Sequence, residues 1–425
     1  GSFMPIIELS RKEFDDYAIK HPYKSFYQTS QFGTLMSKHG CSPIYVGLEE
    51  GGEIRAAALI LVKEQIFGIK YGYSPRGYLI NFEDYALVED FTFALKDFLN
   101  KKNIIYLVID PHVTHLERDK NGKPIESKQK GVNISESLKR MGYEHRGFNL
   151  YFENSKPRWN MVLKTEDTPI KIFNSFEKST RTKIRNSLRK GVEVYKGNKD
   201  DLKMFYQMIN KKHFRKYNYY LDMYEIFSNF DMFDVYFARI NTEIFLKNSK
   251  LLYEHESQKN SKLNADLQKY INNPKQKARL LNKKIESDRL LNSYKNDIIF
   301  GTKLYRDQKY IIVASNAIIK YGNEIFFLID GINYRFKNFN ANHLLKWKII
   351  EEYRNKGFTK FHFNGITGDF TRKNKYVGLF TFKKGFNAVV TEYIGEYSLI
   401  VNKPKYNLLK GIKPILRIFN SNEKG

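Results

Sequence analysis

Short apolar runs of strand length alternate along the chain with longer stretches whose apolar residues recur every three or four positions, the signature of an α/β protein. Strands are predicted at 43–48 and 56–63 around the Gly51-Gly52 turn, and at 104–109 after a helix over 84–99. A short helix over 134–141, stopped by Gly142, and a strand over 147–152 close this first unit. A second unit opens with a strand at 159–163, a basic helix over 175–190 ending at Gly191, and a strand at 192–195. Strands at 311–320 and 324–329, a helix over 342–355 stopped by Gly357, and a strand at 360–363 complete it. The similar order of the two units points to duplication, although their identity is too weak to define a repeat.

Between these pieces lies a different periodicity. Leu252, Leu263, Leu267 and Ile271, then Leu281, Ile285, Leu291, Tyr294 and Ile298, are spaced mostly by three, four or multiples of them. Asn272-Asn273-Pro274 interrupts the pattern, and proline is tolerated at the first position of a helix but not inside one. Residues 241–298 are therefore predicted to form an antiparallel helical hairpin, each arm reaching ~40 Å at about 1.5 Å per residue. Twelve Lys or Arg stand against seven Asp or Glu from 241 to 300. Lys269, Lys275, Lys277, Arg279, Lys283, Lys284 and Arg289 crowd the tip and second arm. A narrow apolar seam buries little, so reach toward a large anionic partner explains such an arm better than stability does.

Composition sharpens this picture. At 425 residues the chain is too long for one ordinary core and suits two domains with an appendage. A net charge of +26 would attract nucleic acid, acidic lipid or phosphorylated substrates without choosing among them. The single cysteine, Cys41, excludes an intramolecular disulfide and reads as a buried small residue. No apolar run approaches membrane-spanning length and no signal peptide precedes the first strand, so a cytoplasmic protein is expected.

The familiar catalytic signatures are missing: there is no phosphate-binding P-loop, no nucleophile elbow, no HExxH and no cysteine-histidine pairing. Covalent and metal catalysis are not expected. His112 and His115 follow Asp110, but their spacing is not diagnostic of a metal site. Asp110 ends a strand, the edge at which α/β sheets receive ligands. The span 117–131, with Asp119, Asn121 and Gly122, reads as a surface turn, since the later acids of a calcium loop are absent. Arg354-Asn355-Lys356-Gly357-Phe358-Thr359 nearly matches an acyl-coenzyme A loop, yet Gly357 ends a helix, so no helix N-terminus faces a phosphate.

The most specific stretches are Phe363-Asn364-Gly365-Ile366-Thr367-Gly368-Asp369-Phe370, Gly378-Leu379-Phe380-Thr381-Phe382-Lys383-Lys384-Gly385-Phe386-Asn387 and Glu392-Tyr393-Ile394-Gly395-Glu396-Tyr397. Together with the basic run Ser179 through Val192 and the segment Gln28-Thr29-Ser30-Gln31-Phe32 with Lys38, they resemble the Fem family of non-ribosomal peptidyltransferases. That family moves amino acids from aminoacyl-tRNA onto the stem peptide of a cell-wall precursor. The resemblance implies an α/β (α+β) chain with two acetyltransferase-like, GNAT-like domains of mixed sheets, plus a coiled-coil hairpin. Its expected divisions are 1–158, completed by 396–425, then 159–395, with the hairpin at 241–298 serving as a tRNA-binding arm.

Carried over singly, Lys38, Arg215 and Tyr219 match positions that hold the precursor's phosphates and sugar, with Arg215 and Tyr219 expected on one helix face. Lys383, after Phe382 in a basic loop, matches the catalytic lysine and is implied to stabilise an oxyanion or the tRNA terminal phosphate. Asp110 would orient or help deprotonate the attacking amine, the alternative being that the ribose hydroxyl of tRNA shuttles that proton. Where the family often has Tyr-Leu-Tyr-Gly, this chain has Phe327-Leu328-Ile329-Asp330-Gly331, so no substrate-contacting tyrosine is expected there. Aminoacyl-tRNA is a co-substrate and no cofactor is implied. The acceptor would be lipid II or UDP-MurNAc-pentapeptide, with peripheral contact to the inner membrane face in the first case. Glycine is favoured over serine or alanine as the transferred residue. A non-catalytic tRNA- or RNA-binding module is the main rival, and a coenzyme A-dependent acetyltransferase comes third. For 406–419, a packed terminal helix is favoured over a basic tail lying on a membrane.

Overall fold

The computed structural model describes residues 4–125, 129–209 and 215–412. Two eight-stranded mixed sheets carry the fold. The first runs Ile7–Glu8, Ser42–Glu50, Glu53–Glu64, Lys70–Ser74, Ile104–Ile109, Tyr397–Ile400, Glu144–His145, with Leu79–Ile80 paired to Glu53–Glu64. The second runs Val192–Lys196, Phe233–Asn241, Tyr310–Tyr321, Glu324–Ile332, Lys360–Ile366, Trp159–Lys164, Val389–Tyr393, Thr114–Glu117. Each sheet contains one parallel pair, Lys70–Ser74 with Ile104–Ile109 and Glu324–Ile332 with Lys360–Ile366. A parallel pair needs a crossover, here the helices Tyr85–Lys101 and Ala341–Asn355.

The sheets interlock. Thr114–Glu117 leaves the first half of the chain to pair with Val389–Tyr393, while Tyr397–Ile400 returns to pair with Ile104–Ile109. One apolar cluster joins Phe26, Tyr27, Phe32 and Tyr73 to Phe205, Tyr220, Phe227 and Phe237, so both sheets share a core and the cleft between them has fixed walls.

The two parallel pairs differ in one respect that matters for chemistry. In the first, the ladder continues to Ser74 and Ile109. In the second it links only Glu324–Phe326 to Lys360–His362, after which Asn364, at φ 72°, turns its strand away. The strands then diverge toward their carboxyl ends, the edge at which such sheets take ligands.

The hairpin emerges between two strands of the second sheet as helices Thr242–Lys269 and Pro274–Asp307. Asn273 caps the second, accepting from the Gln276 amide at 3.2 Å, with Pro274 in the first turn. The second arm continues beyond the expected end at 298. The seam register also differs from the expected one: Leu281 and Ile285 are 41% and 67% exposed, and Leu280, Ser287, Gly301 and Leu304 are the buried positions. Counting toward the tip from Ile298, Tyr294 and Leu291 by alternate threes and fours reaches Ser287, Lys284 and Leu280. Polar residues at two of these positions hid the register from an apolar count. Asn260 fills the facing position, donating to Ser287 Oγ at 3.0 Å and Asp288 at 2.7 Å and accepting from Lys284 at 3.3 Å.

Elsewhere most predicted elements are present, with three corrections. Residues 147–152 form no strand; only Glu144–His145 pairs there, and Gly147, at φ 98°, begins an irregular segment. The basic helix predicted over 175–190 is present as Lys178–Arg189, starting later because Phe176 is extended, and a further helix, Pro169–Ser175, precedes it. Lys383 is on a helix, Val377–Lys384, and not in a loop. Gly357, at φ 92°, follows the last turn of Ala341–Asn355 as a left-handed stop. Of the segment 406–419, the described part belongs to the helix Lys403–Ile412, whose Tyr406 packs on Tyr106; residues beyond 412 lie outside the described residues.

Candidate active-site cleft

Asp110 follows the last residue of Ile104–Ile109 and is 2% exposed. A buried carboxylate must be satisfied. It accepts from the Tyr73 phenol and, at 2.6 Å, from the backbone N–H of Arg76, a residue at φ 53°. The Arg76 guanidinium donates to the Pro157 carbonyl at 3.0 Å and lies 4.6 Å from the Tyr393 ring. Beside this group stands Lys156, which no sequence motif singles out. Its ammonium sits 3.9 Å from the Tyr27 ring centroid and 5.4 Å from that of Tyr73. Burial, reinforced by the nearby charges of Arg76 and Arg215 and opposed by Asp110, pulls its pKa down to about 7.

Arg215 and Tyr219 do come together, although not as neighbours on one helix face. The helix Tyr217–Ser228 begins after Arg215, which folds back so that its guanidinium lies 4.3 Å from the Tyr219 ring centroid. His213 and Phe214 lie outside the described residues. Lys38 caps the end of Ser30–Ser37. The next residue, His39, binds Asp222 at 2.9 Å and packs against Tyr219 at 5.2 Å. Lys38, Arg215 and Tyr219 thus share one rim, and the charge of Arg215 reaches Lys156, beside Asp110 on the floor. Cys41 lies nearby, its thiol pushed up by burial to about 11, which leaves it protonated and inert.

Lys383 and Phe382 lie apart from this group, on the helix Val377–Lys384. Lys383 is 3% exposed and donates to the Gly365 carbonyl at 2.7 Å, on the strand that has diverged from Glu324–Ile332. Phe382 packs 4.7 Å from His343, whose pKa burial lowers to about 4, and 5.3 Å from Phe386. A second buried lysine from this region, Lys346, binds Asn316 at 2.8 Å and Asp330 at 2.6 Å. Asp330 belongs to the stretch that departs from Tyr-Leu-Tyr-Gly, and its carboxylate serves Lys346 and Asn342.

Between the sheets the walls are tied by histidines. His112 contacts the Tyr393 hydroxyl at 2.9 Å and the Lys24 carbonyl at 3.2 Å, and burial lowers its pKa to about 3, so it is neutral. His115 instead meets Glu392 at 3.1 Å, within a cluster completed by Arg118 and the buried Arg158. The two histidines therefore have different partners, and among the described residues no group of three or more His, Cys, Asp or Glu is arranged to hold a metal. A groove of about 770 Å³ runs past both, and Lys120, Lys130, Lys164 and Lys360 are among the residues that line it.

On the hairpin, Lys269, Lys275, Lys277, Arg279, Lys283 and Arg289 are exposed. Lys284 is half-buried and paired with Asp288 at 3.1 Å, and Arg289 pairs with Glu286 at 2.6 Å.

Two interlocked mixed sheets, one with a diverging parallel pair, and a long hairpin inserted in the second agree with what the chain matches: residues 9–414 fit the FemAB family, and the chain belongs to it. That membership puts it among acyltransferases. The aminoacyltransferase FemA of Staphylococcus aureus strain bovine RF122 / ET3-1 is 26% identical over 437 residues, covering 98% of this chain and all of the relative. FemA of strain N315 aligns to the same extent. Among solved structures, FemX superposes with a TM-score of 0.73 at 19% identity, covering 96% of this chain and all of that one, a likeness of fold.

Proposed function

We propose that this protein transfers an amino acid, glycine in the favoured case and serine or alanine otherwise, from aminoacyl-tRNA to the stem-peptide amine of a peptidoglycan precursor, lipid II in the favoured case. The reading is carried by the full-length match to FemAB aminoacyltransferases. The chemistry of the cleft supports it. An aminoacyl ester is already activated, so attack by an amine needs alignment, a neutral amine and a stabilised oxyanion. The amine nitrogen bonds to the ester carbonyl, the tetrahedral intermediate collapses, and the C–O bond to the ribose breaks, releasing the tRNA hydroxyl. One proton leaves the amine and one reaches the departing oxygen.

In this reading Lys383 stabilises the oxyanion or the terminal phosphate, and Phe382 shapes the pocket around it. Lys38 and Arg215 take the precursor's phosphates, with Tyr219 bracing Arg215. Asp110, already accepting from Tyr73 and Arg76, orients, while Lys156, poised near neutrality, can take the amine's proton. No cofactor enters the scheme. The exposed lysines of the hairpin tip dock the tRNA.

The test is mass spectrometry of lipid-linked and nucleotide-linked precursor incubated separately with tRNA charged with glycine, serine or alanine. A mass increase of one residue with one of the three supports the reading. Retention of charged tRNA with no product under any condition would favour the RNA-binding module instead.

A further inference from the structure

The turn joining Glu53–Glu64 to Lys70–Ser74 carries a feature the transfer chemistry does not use. Phe67 is 91% exposed and Ile66 is 42% exposed. Phe67 also has φ 63° and ψ 32°, a left-handed conformation that bulky L-residues rarely adopt. A polar residue, or glycine, would fit this corner with less strain and no exposed ring. The turn is pinned, not loose: the Gln65 amide donates to the Ile69 carbonyl at 2.6 Å, and Asn103 donates to the Gly68 carbonyl at 3.0 Å. A ring held outward in a strained conformation gains little packing from the described residues around it.

Around the turn stand basic residues from three segments. Lys63 and Lys70 flank it on its own strands, and the Lys70 amide donates to Asn103 at 3.1 Å. Lys101 and Lys102 precede Asn103, and Lys405 of the terminal helix reaches its side chain at 2.8 Å. Five lysines outnumber the nearby acids Glu8, Glu64 and Asp97, whose ion pairs with Lys102 and Lys101 are solvent-exposed and weak. An apolar tip inside a basic collar matches the headgroup boundary of an anionic bilayer, where rings enter the acyl edge and lysines meet lipid phosphates. The location is also apt: Ser42, next to Cys41, pairs with Val62 at the end of the strand that leads into the turn, and Arg215 of the rim assigned to the precursor acts on Cys41.

We propose that residues 65–69 form a membrane-contact prong, with Phe67 and Ile66 entering an anionic lipid surface and Lys63, Lys70, Lys101, Lys102 and Lys405 lying on its phosphates. The prong deepens the reading above, on which its purpose rests, by turning the Lys38 and Arg215 rim toward the membrane that would carry a lipid-linked acceptor.

The experiment is co-sedimentation of the full chain with vesicles of phosphatidylglycerol and phosphatidylcholine, and of phosphatidylcholine alone. The wild type should bind the anionic vesicles, less so at high salt, and should bind the neutral ones weakly. Phe67→Ser should reduce binding about tenfold. The double variant Lys70→Gln/Lys405→Gln should reduce it about twenty-five-fold, since each lysine contributes about a fivefold effect at such a surface. Tyr334→Ser, which removes another exposed ring at the base of the hairpin, should leave binding unchanged. In a Phe67→Trp variant, fluorescence should shift to the blue on adding anionic vesicles. Melting of Phe67→Ser at or above the wild-type temperature shows that folding is intact. Wild-type vesicle binding by Phe67→Ser, or no shift from the tryptophan, overturns the proposal. Aminoacyl transfer to a water-soluble precursor fragment separates the two readings: Phe67→Ser should retain it, whereas a protein that binds vesicles but transfers nothing would refute the proposed activity and leave the prong standing.

Discussion

Replacing Lys156 by methionine should make the protein more stable, and increasingly so as the pH falls. In the unfolded chain this lysine titrates near 10.5, whereas in the cleft burial brings it to about 7. Below pH 7 both states are protonated and the folded protein bears the full penalty of holding an ammonium there. Between 7 and 10.5 the unfolded state binds more protons, so stability rises with pH and the penalty fades. At about 1.4 kcal/mol per pH unit the whole span corresponds to roughly 5 kcal/mol. Methionine keeps the length and removes the charge, but it also forfeits the cation–π interaction with Tyr27, worth about 1 to 2 kcal/mol. That interaction exists only in the charged form, so the gain at any one pH mixes both effects, whereas the change with pH follows from the titration alone. The informative quantity is therefore the change in the stability difference from pH 6 to pH 9, expected to be about 3 kcal/mol and measured by urea unfolding at both. Parallel stability curves for variant and wild type would show that Lys156 stays charged and is not near neutrality. The same variant should lose transfer activity that Lys156→Arg fails to restore, because a guanidinium cannot give up its proton at neutral pH.

Lys383→Ala should lower kcat for transfer by a hundredfold or so while leaving precursor affinity unchanged, as befits an interaction that strengthens in the transition state; an equal drop in both would make it a binding residue. Arg215→Ala should instead weaken precursor binding by about tenfold or more, read by calorimetry, with little effect on the fold. Exchanging Lys275, Lys277, Arg279 and Lys283 for glutamine should weaken tRNA binding and flatten its dependence on salt by about 0.7 to 0.9 in log–log slope for each phosphate no longer neutralised; an unchanged slope would remove the tip from the interface. Glu392→Gln should destabilise the fold by about 3 to 5 kcal/mol at pH 7, because the buried Arg158 is left without its counter-charge. Against the burial that would raise it, hydrogen bonds from His115 and Arg158 hold the Glu392 pKa at about 2, so its contribution is complete above the ordinary carboxylate pKa near 4.5 and is lost as the pH falls toward 2. The difference between variant and wild type should narrow accordingly in acid.

What the sequence reveals here follows from how local each feature is. The hairpin's existence is legible because Asn273-Pro274 is a cap and a first turn in adjacent residues, whereas its register is not, because Lys284, Ser287 and Asn260 occupy seam positions with polar groups that satisfy one another. Asp110 could be located at a strand end from the apolar run before it. Lys156 could not, because it lies in an irregular segment and gains its character from Tyr27, Tyr73 and Arg76, which are distant in sequence and meet only when the sheets interlock. The divergence of the second parallel pair is likewise hidden, since Asn364 reads as an ordinary polar residue until its left-handed backbone turns the strand away.

The separation of Lys383 from Lys156 and Asp110 bears on how a transferase built this way would work. Lys383 belongs to the gap in the second sheet, while Lys156 and Asp110 lie on the floor beside the first, next to the rim of Lys38 and Arg215. A pocket lined by neither lysine is walled by Arg76, His112, Tyr393, His362 and Phe326. His112 is neutral there, and His362 holds Glu324 at 2.7 Å, so that wall contributes shape and fixed hydrogen bonds and no mobile proton. On the proposed reading, Lys156 takes the proton released by the amine and Lys383 stabilises the oxyanion. Removing either lysine should therefore be distinguishable in kinetics: Lys156 variants should change the pH dependence of kcat, and Lys383 variants should lower kcat at every pH without moving its midpoint.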